Sequence, residues 1–252
     1  MKTPSFRLDG RRALVTGGSR GIGLAAAHAL AQAGAEVVLA ARDAHGLEAA
    51  ADAVAQSSGT RPETSSLDVT DAAAVSRYVA LHGPFRVLVN SAGTNRPALL
   101  GETLDEDVDA VLDLNVKGAF YVSRAVAGGL QRAKLHGSLI HISSQMGHVG
   151  GPRRTVYCAT KHALEGFTKA LAWELGPSGI RVNTLCPTFI ETAMTKPMFA
   201  DRGFRDFVTS RIALGRLGQL EDVMGAIVFL AGDASQMVTG SALMVDGGWT
   251  AA

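Results

Sequence analysis

A tyrosine and a lysine four residues apart are the side chains of this sequence best suited to acid–base chemistry. Tyr157 and Lys161 lie near the start of an apolar-periodic stretch, and a spacing of four residues places both side chains on one face of a helix. A free tyrosine has a pKa near 10, so roughly one molecule in a thousand is ionised at pH 7. Because a nearby ammonium group lowers such a pKa by about 1–3 units, the pair would be able to exchange protons near neutral pH.

A cluster of glycines predicts a second kind of chemistry, the binding of a pyrophosphate. Gly17, Gly21 and Gly23 have the spacing Gly-x-x-x-Gly-x-Gly and lie between a predicted strand and an alanine-rich helix. Glycines allow a tight turn and close approach of the backbone, and the N-terminus of the following helix offers N–H groups to the anion. This is a variant of the dinucleotide-binding fingerprint.

The end of the second predicted strand indicates which dinucleotide is bound. A carboxylate at this place accepts from the ribose hydroxyls of NAD, whereas an arginine accommodates the 2′-phosphate of NADP. Ala41 supplies no carboxylate, Arg42 supplies a guanidinium, and Arg20 in the glycine loop adds a second charge. Although Asp43 would partly neutralise Arg42, the two arginines lead us to favour NADP(H), with NAD(H) as an alternative.

Strands that alternate with helices must position these residues. Short aliphatic runs predict strands at residues 12–16, 36–41, 64–67, 86–90, 138–143, 180–185 and 241–246. Longer stretches with helical periodicity predict helices at 21–33, 47–56, 72–81, 105–132, 156–175 and 220–230. Such alternation predicts an α/β fold, a doubly wound Rossmann-type parallel sheet of about seven strands with helices on both faces. We expect residues 1–252 to form a single domain, with binding groups beyond the carboxyl ends of the strands.

Composition narrows the class of protein. Of 252 residues 47% are hydrophobic and 19% charged, and the formal net charge is +1. Disorder is therefore not expected, nor is a partnership with nucleic acid or with a membrane surface. Cys158 and Cys186 are too few for a disulfide framework and too isolated in sequence for a zinc site. The first ten residues lack the apolar core of a secretory signal, so we expect a cytoplasmic protein.

Taken together, these motifs resemble those of the short-chain dehydrogenase/reductase family, and the resemblance covers essentially the whole chain. Asn90-Ser91-Ala92-Gly93 is similar to the family's Asn-Asn-Ala-Gly, with a serine at the second position. Two other positions depart from the family pattern. Thr188 stands where glycine is usual, so the local backbone could differ, and Thr160 replaces the serine often found before the lysine.

The resemblance implies roles for individual residues. Tyr157 would be the general acid or base, Lys161 would lower its pKa and bind the nicotinamide ribose, and Ser144 would hold the substrate oxygen. Asn115 would help to hold a water in a proton relay, unless it is a solvent-facing helix residue, and Ser143 would be structural. The implied cofactor contacts are Gly17, Ser19, Arg20, Gly21, Ile22, Gly23, Arg42, Asp68, Val69, Asn90, Ala92, Gly93, Tyr157, Lys161, Pro187, Ile190 and Thr192. For Asp68, a turn or helix-start role is an equal alternative.

The implied reaction is reversible hydride transfer between a nicotinamide and a carbonyl or secondary alcohol, without a metal. Residues 193–216 would form a lid over the site. Cationic side chains around its mouth suit an anionic substrate, although loop charges are commonly just solvated; they are Arg96, Arg153, Arg154, Lys196, Arg202, Arg205 and Arg211. The ending Asp246-Gly-Gly-Trp-Thr resembles members that act on sugar acids and polyols.

Two alternatives to a sugar-acid or polyol enzyme stay open. The first is a 3-oxoacyl-thioester (acyl carrier protein) reductase, and the more remote one is a non-catalytic NADP(H)-binding sensor or scaffold. The resemblance also implies a homotetramer whose interfaces are the helices at 105–132 and 156–175 and the strand at 241–246. Ala163, Phe167 and Ala170 would serve that contact or the core of the monomer.

Overall fold

The chain folds around one seven-stranded parallel sheet in a computed structural model that describes residues 1–193 and 195–251. The strands are β1 Arg12–Thr16, β2 Glu36–Ala41, β3 Glu63–Ser66, β4 Val87–Asn90, β5 Gly137–Ile142, β6 Ile180–Pro187 and β7 Ala242–Val245. Their order in the sheet is β3-β2-β1-β4-β5-β6-β7. The order reverses between β1 and β4, which places a crevice beyond the carboxyl ends of these two strands.

Eight α-helices connect the strands in the described part of the chain. They are α1 Gly21–Gln32, α2 Ala44–Ser58, α3 Ala72–His82, α4 Asp105–Leu112, α5 Ala119–Ala133, α6 Thr155–Leu175, α7 Arg202–Arg211 and α8 Leu220–Ala231. Helix α2 begins three residues before the predicted start because the Asp43 carboxylate accepts a hydrogen bond from the N–H of Gly46 at 3.0 Å. An aspartate N-cap of this kind satisfies a donor that the first turn leaves unpaired.

The sheet is covered on both faces, as the apolar strand sequences predict. Ala13 and Val15 of β1 belong to one buried cluster together with residues of α1, α2 and α8. Leu14, which lies between them in the strand, belongs to a second cluster with residues of α3, α5 and α6. Successive side chains of a strand point to opposite faces, so each face of β1 has its own core. The predicted fold class is confirmed.

The prediction of a single continuous helix at 105–132 is wrong in one respect. It is interrupted by a π-helical segment, Asp113–Gly118, which separates α4 from α5. One extra residue in the turn changes the direction of the side chains, and such segments occur frequently at functional sites. Here the segment contains Asn115, whose side chain is directed into the protein and is 2% exposed.

The segment predicted as a lid has a small core of its own. A short 3₁₀ turn, Lys196–Ala200, precedes α7, and Phe199 and Val208 are buried with Ile212 and Leu217. Outside this segment, the ring of Phe189 lies 5.9 Å from that of Phe199. Packing onto the rest of the chain therefore orders this mostly polar segment. Within the described residues, none of the helices combines the length and the apolarity needed to cross a membrane.

Candidate active site

A cleft of about 660 Å³ opens beyond the carboxyl ends of the central strands. Most of the predicted site residues line it: Gly17, Ser19, Arg20, Gly21, Ile22, Arg42, Asp68, Val69, Ala92, Gly93, Ser144, Tyr157, Lys161, Pro187, Ile190 and Thr192. Three predicted residues do not line the cleft, namely Gly23, Asn90 and Asn115. Each of them contacts residues close to those that line it. The sheet thus brings together side chains that are up to 175 positions apart, from Gly17 to Thr192.

The glycine loop has the shape that a pyrophosphate requires. Gly17 has a φ of 65°, and a Cβ atom there would lie 2.8 Å from the backbone nitrogen of Ala92. A Cβ at Gly23 would collide with the carbonyl oxygen of Gly17, so Gly23 acts through packing between the loop and α1 instead of through the cleft. Arg20 precedes α1 and makes no side-chain cap. The first N–H groups of α1 can therefore bind an anion.

The end of β2 offers a free guanidinium to the cleft. Arg42 is exposed and lines the cleft. The neighbouring Asp43 carboxylate caps α2, and no ion pair joins it to Arg42 within the described residues. The sequence suggested that Asp43 would partly neutralise Arg42. The structure shows no direct pairing between the two side chains.

Asp68 closes a turn and also lines the cleft, so the turn role is observed and the adenine contact stays a prediction. Its carboxylate accepts from the N–H of Thr70 at 2.9 Å and from the Thr70 hydroxyl at 2.7 Å, which closes a turn. Asp68 also lines the cleft. The Thr70 N–H holds the pKa of Asp68 below its usual value, with a smaller contribution from the charge of Arg42. The carboxylate thus stays ionised beside the position expected for an adenine.

The side chains of Asn90 and Asn115 are buried and join neighbouring elements by hydrogen bonds. Asn90 donates to the Ser123 hydroxyl at 3.0 Å, which fixes the end of β4 against α5. Asn115 accepts from the N–H of Thr94 at 2.8 Å and donates to the Thr94 carbonyl at 3.0 Å and to the Thr160 hydroxyl at 3.1 Å. The solvent-facing alternative for Asn115 is wrong, because the π-helical segment turns the amide inward. A role for Asn115 in a water relay stays a prediction.

Ser144, Tyr157 and Lys161 meet at the deep end of the cleft. The Ser144 hydroxyl accepts from the N–H of Met146 at 3.1 Å and donates to Gln145 Oε1 at 2.8 Å. Lys161 Nζ lies 5.4 Å from the centre of the Tyr157 ring and donates to the Ile142 carbonyl at 2.8 Å. A carbonyl oxygen bound between the Ser144 and Tyr157 hydroxyls would have two donors, which is the arrangement that stabilises a developing alkoxide.

Burial changes the acidity of this pair in a direction that the sequence did not predict. Desolvation raises the pKa of Tyr157, while the Ser144 hydroxyl and the charge of Arg154 act to lower it. The expected lowering of the Tyr157 pKa by Lys161 is therefore not seen, since the Lys161 ammonium is directed to the Ile142 carbonyl. Desolvation also lowers the pKa of Lys161 from 10.5 to about 8. Both shifts follow from removing a charged form from water.

Several cleft residues were not identified from the sequence. Gln145 is 2% exposed and holds the Ser144 hydroxyl, a role that no spacing signalled. Ser143 was expected to be structural, and its N–H does bond to the Leu185 carbonyl, but it lines the cleft as well.

Thr188, which stands where glycine is usual in the family, does not have a positive φ. Among the described residues other than glycine, a positive φ is found at Lys134 and Arg153. Threonine in place of glycine therefore causes no backbone strain here.

A second polar cluster lies one helical turn beyond Lys161. His148, Glu165 and Cys186 have donor atoms within 4.8 Å of one another, so Cys186 is less isolated in space than in sequence. The Glu165 carboxylate accepts from the Thr184 hydroxyl at 2.9 Å and from the Cys186 thiol at 3.4 Å. Burial raises the pKa of Cys186 to about 12. The thiol therefore serves as a hydrogen-bond donor to this buried carboxylate.

Comparison with known proteins gives matches over nearly the whole chain. A family model described as Enoyl-(Acyl carrier protein) reductase matches residues 17–250. The chain is 41% identical over 249 residues to gluconate 5-dehydrogenase of Gluconobacter oxydans, covering 97% of this chain and 96% of that protein. It is 39% identical over 246 residues to D-erythrulose reductase of Gallus gallus, covering 98% of each. Among solved structures, a gluconate 5-dehydrogenase from Burkholderia cenocepacia in complex with NADP and tartrate is 37% identical, with a TM-score of 0.92 and 98% coverage of each chain.

Proposed function

Because the chain belongs to the short-chain dehydrogenase/reductase family, we propose that it transfers a hydride between NADP(H) and a carbonyl or secondary-alcohol carbon of a sugar acid or polyol. The observation that carries this proposal is the meeting of Tyr157, Ser144 and Lys161 in one cleft with the glycine loop. The related gluconate 5-dehydrogenase and D-erythrulose reductase support the class of substrate.

The residues at the outer part of the cleft fit a nicotinamide dinucleotide. The glycine loop and the open N-terminus of α1 would hold its pyrophosphate. Asp68 and Val69 would contact the adenine, Lys161 the nicotinamide ribose, and the segment from Pro187 to Thr192 the carboxamide. When bound, this cofactor supplies or accepts the hydride, and the protein supplies position and electrostatics.

Tyr157 moves the proton of the reaction. In reduction its hydroxyl donates to the substrate oxygen as negative charge develops there, and in oxidation the same oxygen accepts the proton. The Ser144 hydroxyl donates its proton to Gln145 Oε1 in the structure, and it would turn this single proton to the substrate oxygen to stabilise the developing charge. Because burial raises the pKa of Tyr157, the protein alone favours the protonated form that reduction requires.

NADP(H) is the proposed cofactor, with NAD(H) as the alternative. Arg42 and Arg20 are both exposed and line the end of the cleft where the 2′-phosphate would lie. Arginine is well suited to bidentate contact with a phosphate. A related gluconate 5-dehydrogenase whose structure holds NADP supports this choice.

The test is a substrate panel assayed with both cofactors in both directions. It contains sugar acids, the corresponding polyols and ketoses, and 3-oxoacyl thioesters. We expect turnover of sugar acids or polyols with NADP(H). Exclusive turnover of the acyl thioesters would contradict the proposal in favour of an acyl carrier protein reductase. Cofactor binding without turnover of any member would favour a sensor or scaffold.

We further propose the domain organisation, assembly and location that the sequence predicts. Residues 1–252 would act as one unit in which residues 193–216 close over the substrate. Ala193, Thr195 and Met198 support this, because they line the cleft from the lid side; Met194 lies outside the described residues. A homotetramer and a cytoplasmic location are likewise proposals, to be tested by light scattering and by cell fractionation.

A further inference from the structure

We propose that Arg154 binds a carboxylate of the substrate and thereby makes the cleft selective for a sugar acid over a neutral polyol or ketose. This inference rests on the proposed function and deepens it. The sequence offered several cationic residues around the mouth of the cleft and could not separate them. The structure separates them by position, burial and pairing.

Arg154 is the one among those cationic residues that lines the cleft. Arg96 pairs instead with Asp107 at 3.4 Å, and Arg153 lies 3.9 Å from Glu102. The rest are exposed along the lid, at Lys196, Arg202, Arg205 and Arg211. A solvated charge of this kind contributes little to specificity, since water and salt screen it.

The Arg154 guanidinium is buried without a counter-ion. The residue is 7% exposed, and its Nη1 atom has no hydrogen-bond partner within the described part of the chain. An arginine cannot relieve this by losing its proton, because its pKa is too high. A buried, unpaired charge is costly unless a partner of opposite charge is bound.

The cleft itself does not supply that partner. The acidic residues among its described lining are Asp43 and Asp68, and both lie at the end where the adenosine would bind. A ligand carboxylate is therefore the missing partner, and its two oxygens match the forked N–H groups of a guanidinium.

The position of Arg154 is suited to a substrate that reacts at Tyr157. Arg154 precedes the first residue of α6, three positions before Tyr157, and both side chains line the same cleft; the charge of Arg154 partly offsets the effect of burial, which raises the pKa of Tyr157. Among residues 1–193 and 195–251, the other buried side-chain atoms without a hydrogen-bond partner belong to residues that also line this cleft; they are Asn95 Oδ1, Ser143 Oγ and Thr188 Oγ1. Such groups match the hydroxyls of a sugar acid, which donate and accept hydrogen bonds.

The backbone explains why two consecutive arginines differ. Arg153 has a φ of 60°, in the left-handed region that residues other than glycine rarely adopt. With this turn, Arg153 is exposed while Arg154 is buried. Arg153 is therefore a matched control, since it has the same side chain one position away.

The experiment compares D-gluconate with D-glucitol, which carries a CH₂OH group in place of the carboxylate. We expect wild type to prefer gluconate in NADP⁺-dependent oxidation. Arg154→Gln should lower the ratio of kcat/KM for gluconate over kcat/KM for glucitol by about 100-fold, mostly through a higher KM for gluconate. Because the charge of Arg154 also acts on Tyr157, any change in kcat from its removal should be shared by both substrates and cancel in this ratio. Arg153→Gln should leave both values within about threefold. Arg154→Lys should recover part of the gluconate activity, because it keeps the charge without the fork.

A binding measurement separates failure of this inference from failure of the proposed function. Calorimetry with gluconate and NADP⁺ on Tyr157→Phe, with and without Arg154→Gln, does not require turnover. Binding that depends on Arg154 would support the carboxylate subsite even if neither substrate reacts. Equal losses for gluconate and glucitol in Arg154→Gln, equal losses in Arg153→Gln, or gluconate binding that is absent or independent of Arg154, would each overturn it.

Discussion

Among single residues, Tyr157 is the one whose burial bears most directly on the proposed reaction, because burial changes the pKa of the hydroxyl that would transfer the proton. The cleft removes water from it, which raises its pKa, and the Ser144 hydroxyl and Arg154 charge partly offset this effect. A phenylalanine keeps the ring and removes only the hydroxyl group whose proton is transferred. We therefore expect Tyr157→Phe to lose about 100-fold or more in turnover and to retain cofactor binding, measured by calorimetry with NADPH.

Tyr121, on α5 and outside the described lining of the cleft, provides the control for this prediction. Tyr121→Phe removes a hydroxyl of the same kind and should turn over like wild type. Turnover of Tyr157→Phe near the wild-type rate would show that another group moves the proton.

The choice of cofactor is a second property that single residues decide. Arg42→Asp replaces the guanidinium expected at the 2′-phosphate by a carboxylate that repels it and accepts from ribose hydroxyls. The ratio of kcat/KM for NADPH over NADH should fall at least about tenfold. Arg77→Asp makes the same charge change at an exposed position on α3 and should leave the ratio unchanged. An unchanged ratio in Arg42→Asp as well would mean that Arg42 does not contact the phosphate.

Much of this site could be predicted from which residues occur at which spacing. What could not be predicted is the direction in which individual side chains point in the folded protein. The glycine spacing and the Tyr157–Lys161 spacing are local, so both could be recognised in the sequence. The difference between Arg153 and Arg154 depends on one left-handed φ, and no spacing rule encodes it. The acidity of Tyr157 depends on how much water the folded cleft removes, which is a property of the assembled elements.

At the scale of elements, strand β5 is joined to two helices by one buried histidine. His141 is fully buried and is hydrogen-bonded to Ser123 of α5 at 3.0 Å and to Thr168 of α6 at 2.8 Å. Its ring stacks on Phe167 with 5.3 Å between centres. Burial lowers the pKa of His141 from 6.5 to about 3, with a smaller effect of the charge on Lys161. The imidazole therefore stays neutral in the folded protein.

This shift predicts how stability depends on pH. Between pH 6.5 and about 3 the unfolded chain binds a proton at His141 that the folded chain does not bind, so the free energy of unfolding falls as the pH falls. At pH 5 the loss from this residue is about 2 kcal/mol relative to pH 7. Urea unfolding of wild type and His141→Gln at both values measures it.

We expect the His141→Gln variant to be less stable than wild type at pH 7 but to lose less stability on going to pH 5. The exposed His45, on α2, is the control, and His45→Gln should keep the wild-type dependence. Parallel losses in wild type and His141→Gln would mean that His141 does not carry this pH effect.

The sequence predicted elements well where their signal is continuous. The strands are within one or two residues of their predicted bounds, since most of them are apolar runs between glycines or polar residues; β3 is the exception, with the polar sequence Glu-Thr-Ser-Ser. The π-helical segment was missed because its sequence, Asp-Leu-Asn-Val-Lys-Gly, has ordinary helical periodicity. Tertiary contacts impose it: Asn115 binds the Thr94 backbone, and a Cβ at Gly118 would come within 2.9 Å of Val69. The lid helix α7 was not predicted as a helix, because it has few apolar residues and part of their packing is with rings outside the lid, such as that of Phe189 against Phe204.

At the scale of the whole molecule, helix α6 links the catalytic centre to a predicted interface between subunits. Its inner face carries Lys161, and its outer face exposes small apolar residues and one large ring, at Ala159, Ala163, Gly166, Ala170 and Trp173. Trp173 is 86% exposed. A row of small side chains lets a second helix approach closely, so this face is the natural contact of the proposed homotetramer.

Ala170→Glu tests this link between assembly and catalysis. The position is exposed in the monomer, so the variant should fold, but in the tetramer it would bury an unpaired charge at the helix contact. Light scattering should then give a smaller species than wild type, while Ala49→Glu, at an exposed position on α2, should leave the mass unchanged. Because the contact would hold the helix that carries Tyr157 and Lys161, the smaller species should also lose turnover and thermal stability together. A wild-type monomer, or a full-size Ala170→Glu assembly, would contradict the interface, and a smaller species with full turnover would show that each subunit holds its catalytic helix unaided.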